Sequence, residues 1–81
     1  MFERLPRPEK IYESQGCCPC AVCGRDVDEP HWAVHLILNG DLLMSKPGTT
    51  ALPSGANDLG LHFVGDECRT RFGLTDWTEA V

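Results

Sequence analysis

The sequence predicts a small α+β domain, and three observations carry that prediction. Cys20-Ala-Val-Cys23-Gly24-Arg25 sets two thiols two residues apart with a glycine behind them. A β-branched and aliphatic run over residues 32–38 leads into Asn39-Gly40, a strong short hairpin signal. A third thiol stands in Val64-Gly65-Asp66-Glu67-Cys68, where a helix is expected to begin. Eighty-one residues make one domain, with 42% hydrophobic residues and six aromatic ones, so its core is thin. A core this small is only marginally stabilised by burial, so a metal or disulfide staple is a reasonable expectation.

In chain order, residues 1–16 carry Pro6, Pro8 and Gly16 without apolar periodicity and read as a flexible or extended N-terminal arm, its end pinned by Ile11 and Tyr12. Residues 17–81 then form a single zinc-binding domain. The pair Cys20 and Cys23 reads as a metal knuckle, because two intervening residues let both sulfurs face one ion while Gly24 turns the backbone away with positive φ. Residues 26–30 are a polar turn. Residues 32–38 form a strand, Asn39-Gly40 a type I′ turn, and residues 42–44 the returning strand. Residues 45–60 hold two prolines and three glycines and read as a long irregular loop. Residues 61–64 are a short third strand. Asp66 caps a helix running to about residue 72, Gly73 stops it, and a last turn carries Trp77.

Knuckle, hairpin and then a helix with a ligand in its first turn is the order of a treble-clef zinc finger. Cys20, Cys23 and Cys68 are therefore the expected ligands of Zn²⁺. The usual fourth cysteine would fall at Gly65, so the fourth donor must come from elsewhere. His35 is the first choice, since an imidazole within an apolar run needs a polar partner; a core histidine bonded to its neighbours is the plain alternative. His62 follows, then Cys17 and Cys18, and His31 stands last because Pro30-His31 reads as a solvent-facing turn. Cys17, Cys20 and Cys23 with Cys68 also satisfy an iron–sulfur spacing, although Arg69 stands where proline is usual.

Composition narrows the function. Net charge is −5, and acids such as Asp26, Asp28, Glu29, Asp66, Glu67, Asp76 and Glu79 are spread along the chain. Such a domain has no general attraction to a phosphate backbone. No apolar run approaches the roughly 18 residues a membrane span needs. The N-terminal residues show no signal-peptide core and the cysteine count is odd, so a reducing cytoplasm is expected. No phosphate-binding loop or spacing of nucleophile, base and acid stands out. Residues 20–25, Val34-His35-Leu36 before Asn39-Gly40, and Leu59-Gly60 before Val64-Gly65-Asp66-Glu67-Cys68-Arg69 together resemble a group of small zinc-finger proteins encoded by actinobacterial phages and their mobile elements. The similarity covers about residues 20–71. It implies a phage protein acting in the host cytoplasm, with His35 preferred over His62 as fourth ligand and no counterpart for Cys17 or Cys18. The expected role is a monomeric, non-enzymatic module that binds a protein partner through residues 45–60 and an exposed Trp77. A nucleic-acid-binding finger using Arg25, Arg69 and Arg71 is the second reading, and an iron–sulfur or thiol redox protein the third.

Overall fold

The computed structural model describes residues 2–16, 18–27, 29–49 and 51–81. Its centre is strand β2, Trp32–Asn39, whose valine, isoleucine, leucine and tryptophan side chains suit a pleated, packed surface. Strand β3, Asp41–Ser45, returns antiparallel beside it. The register pairs Asn39 with Asp41 and leaves Gly40 at the tip with φ 78°. All positive-φ residues among those described are glycines, so Asn39 is not left-handed and the turn is not type I′. On the other side of β2 lies β4, Asn57–Val64, longer than the expected third strand. The pairing shifts between Leu36 and Ile37, where Leu59 becomes an extra residue beside Gly60 at φ 76°.

Two further short strands complete an antiparallel sheet. Strand β1, Phe2–Arg4, pairs with β3, and β5, Thr78–Ala80, pairs with the Trp32–Val34 end of β2 that β3 does not reach. The arm expected over residues 1–16 is thus extended and adds a strand. Its Leu5 is buried in the core, and its Tyr12 amide donates to the Cys23 carbonyl at 2.7 Å.

Helix α1 covers Asp66–Arg71, with Gly65 rather than Asp66 at the N-cap and no side-chain cap. Its end is a Schellman closure. Gly73 takes φ 64°, its amide donates to Thr70 and the Leu74 amide donates to Arg69 at 2.8 Å. One 3₁₀ turn, Thr75–Trp77, then leads into β5. The core gathers Leu5, Val22, Val34, Leu36, Met44, Val64, Leu74 and Trp77 together with Cys20 and Cys68. Trp77 is only 8% exposed, which corrects the expectation of an exposed aromatic. The expected loop also narrows to residues 46–56, since Ser45 and residues 57–60 belong to strands.

Candidate metal centre

The site begins in the knuckle. The Gly24 amide donates to the Cys20 carbonyl and the Cys20 amide to Arg25, both at 2.8 Å, while Pro19 bridges to Asp26. Gly24 sits at φ 80°, and a Cβ there would lie 2.1 Å from the Tyr12 carbonyl oxygen. Glycine is therefore required by both conformation and space. The knuckle is fixed to the sheet by the Ala21 amide, which donates to the Phe63 carbonyl at 2.7 Å. Just beyond Phe63 the chain turns at Gly65 into α1, whose first turn delivers Cys68. The Cys20, Cys23 and Cys68 sulfurs all lie within 4.8 Å of one another. Cys20 and Cys68 are buried, and Cys23 is half-buried. Three sulfurs from segments 45 residues apart can hold a metal ion.

Their environments differ. Burial opposes ionisation of Cys20, but the amides of Gly65, Cys23 and Val22 and the thiol of Cys68 outweigh it, leaving its pKa below the ordinary thiol value. The Gly65 amide points at the sulfur from 3.3 Å. Burial pushes the Cys68 thiol up to about 12, helped by its hydrogen bond with Cys23 and the charge of Cys20. Ionisation is thus eased at Cys20 and resisted at Cys68. A divalent cation removes that resistance, since it neutralises sulfurs that otherwise repel each other. The donor set is soft, which suits Zn²⁺ or another thiophilic metal and not Mg²⁺ or Ca²⁺.

His35, the preferred fourth ligand of the sequence reading, is not part of this cluster. Val34 and Leu36 face the core that contains Cys20 and Cys68, so strand alternation turns His35 to the opposite face. Both of its nitrogens are engaged there. Nε2 donates to the Asp58 carboxylate at 2.6 Å, and Nδ1 accepts from the Ser45 hydroxyl at 2.6 Å. Asp58, whose pKa is lowered chiefly by that bond to His35, also accepts from the Gly60 amide at 2.8 Å and so fixes the bulge of β4. His62 is exposed and donates through Nε2 to the Leu59 carbonyl at 2.9 Å. Cys17 lies outside the described residues.

A cleft opens over the three sulfurs. Asp26, Glu29, Asp66 and Glu67 stand around it with Arg25, and so does His31, which sequence reasoning placed last. Nothing local marks His31, because its approach depends on where β2 starts relative to α1. The arginines of the nucleic-acid reading have partners. Arg69 stacks 3.6 Å over Trp32 and donates to Thr78 at 2.9 Å, Arg25 lies 3.7 Å from Glu67, and Arg71 rests 5.1 Å over Phe72. No helix among the described residues is long and apolar enough to cross a membrane. No family model, curated protein or solved structure matches the chain.

Proposed function

We propose that this chain is a zinc-stapled, non-enzymatic module that binds a protein partner. The single observation behind the reading is that Cys20 and Cys68 belong at once to the sulfur cluster and to the hydrophobic core. An ion held there joins the knuckle to α1 in a domain too small to rely on its core alone. Zinc fits a cluster of cysteine sulfurs in a reducing cytoplasm, and its role is to hold the fold. The treble-clef comparison and the setting in a phage protein belong to the same proposal.

The surface favours a protein partner over nucleic acid, since the net charge is −5 and Arg25 and Arg69 are already paired. The series Ser45, His35, Asp58 has the chemistry of a nucleophile, base and acid, yet Ser45 is fully buried and its hydroxyl meets no substrate. Residues 46–56, free of cluster ligands, are the proposed contact.

Metal analysis of purified protein tests the first half: one zinc per chain is expected, and chelation should collapse the dispersion of amide NMR signals. Iron with visible absorbance, or a fold indifferent to chelation, refutes it. For the second half, replacing residues 47–55 with a Gly/Ser stretch should keep zinc and fold but lose partner capture. Salt-sensitive binding to duplex DNA at physiological ionic strength would overturn it.

A further inference from the structure

We propose that His31 is the fourth ligand of the metal centre, with Asp66 holding the other nitrogen of its ring. This rests on the reading of Cys20, Cys23 and Cys68 as ligands. All three histidines are among the described residues, and two are committed elsewhere. His35 spends both nitrogens on Ser45 and Asp58 on the far face of β2, and His62 bonds the Leu59 carbonyl outside the cleft. His31 alone among them lines the cleft over the sulfurs.

Its placement suits the role. The His31 carbonyl accepts from the Val81 amide at 3.0 Å and β2 begins at the next residue, so its backbone is anchored. Its ring nitrogens lie outside the 4.8 Å cluster of the three sulfurs, so ligation requires its 58% exposed side chain to turn inward over the cleft. Nδ1 lies 3.9 Å from the Asp66 carboxylate, two residues before Cys68, which leaves Nε2 for the ion. A carboxylate behind a ligating imidazole fixes its tautomer and orientation.

The other donors around the cleft fit less well. Asp26 is taken by the Ser14 hydroxyl and by the amides of Gln15 at 3.2 Å and Gly16 at 3.1 Å, and Glu67 pairs with Arg25. Charge points the same way. Three thiolates and a divalent ion already leave a net negative centre, ringed by Asp26, Glu29, Asp66 and Glu67. A neutral imidazole adds no charge to it, whereas a carboxylate or another thiolate deepens the repulsion.

The test uses the full chain with zinc and with cobalt as a spectroscopic stand-in. In the zinc-loaded chain, the ¹⁵N resonances of the His31 ring should show a metal-bound, Nδ1-protonated pattern that those of His35 and His62 lack. His31→Ala should weaken zinc binding at least about 100-fold and alter the cobalt spectrum. The exposed contact with Asp66 accounts for no more than about fivefold of that. His31→Cys should restore tight binding with a spectrum of four thiolates, and Asp66→Asn should cost about tenfold. A His31 ring without the metal-bound pattern in the zinc form, or an unchanged cobalt spectrum in His31→Ala, overturns the proposal. So does a 100-fold loss from Cys17→Ser, which would make the fourth donor a thiolate. Undiminished affinity in Cys23→Ser would instead refute the three-cysteine site itself.

Discussion

His35→Ala separates a ligand from a structural clamp, because the two roles give different spectra. Ser45 is fully buried, and its hydroxyl is held by His35 Nδ1 at 2.6 Å. Truncating the ring leaves that hydroxyl without a partner, a cost of about 1–3 kcal/mol. Asp58 is half-exposed and keeps the Gly60 amide, so its loss adds little. The expected destabilisation is about 2 kcal/mol, or a fall in Tm of roughly 8–16 °C for a domain of this length. Under the proposed coupling of folding to loading, the same 2 kcal/mol weakens apparent zinc affinity about 30-fold. Affinity alone therefore does not discriminate. The cobalt spectrum and the stoichiometry at saturating metal do, and both should match the parent protein. Ser45→Ala in the same chain should recover about 1 kcal/mol, because the orphaned hydroxyl is then gone. A changed ligand-field spectrum in His35→Ala, or a double variant no more stable than the single one, would refute the clamp.

Gly24→Ala should cost about 2–3 kcal/mol in urea unfolding of the zinc form, from left-handed strain and the lost Tyr12–Cys23 bond. Gly48→Ala, at φ 86° with nothing within 4 Å of a new Cβ, should cost only about 1 kcal/mol, and equal costs would show that the approach of Tyr12 is immaterial. Cys68, with a pKa of about 12, keeps its proton at neutral pH until metal arrives, so binding must expel it. Zinc affinity in chelator competition should then rise at least about tenfold per pH unit between roughly pH 6 and 8, and a flat profile would contradict the buried third thiol. Trp77→Ala should destabilise the fold by about 3–5 kcal/mol, as for a core aromatic, whereas a partner-contact role would leave stability intact.

The cluster was legible because its cues are local. A two-residue spacing, a following glycine and a helix start each leave a signature within a few residues, and the structure brings all three thiols together. The face taken by His35 was not legible, and β2 shows why. Ala33 and Ile37 are as buried as Val34 and Leu36, so the strand is covered on both faces and its sequence reads as a continuous apolar run. Without alternation, nothing in the residues says which face His35 takes. Strands β1 and β5 escaped for another reason. Three residues are too few for a period, and each becomes a strand only because a neighbour offers it an edge. Trp77 was misplaced because its burial depends on the 3₁₀ turn that folds it back after the Schellman closure.

The pattern of ties around the sulfurs explains why an ion can matter so much to this chain. The knuckle reaches the sheet through the Ala21 amide on Phe63, and its first sulfur is approached by the Gly65 amide. Both contacts fall within the two residues flanking Val64, at the junction between β4 and α1. The knuckle therefore rests on the same short stretch that sets the start of the helix and hence the position of Cys68. Shifting α1 by one residue would misplace the third thiol and the Gly65 amide together. An ion bound to all three sulfurs resists that shift from both sides at once, and closes a loop of some 45 residues whose closure entropy a thin core offsets poorly. Metal binding and the register of the helix on the sheet are in this way one equilibrium, so a variant that loosens either should loosen the other.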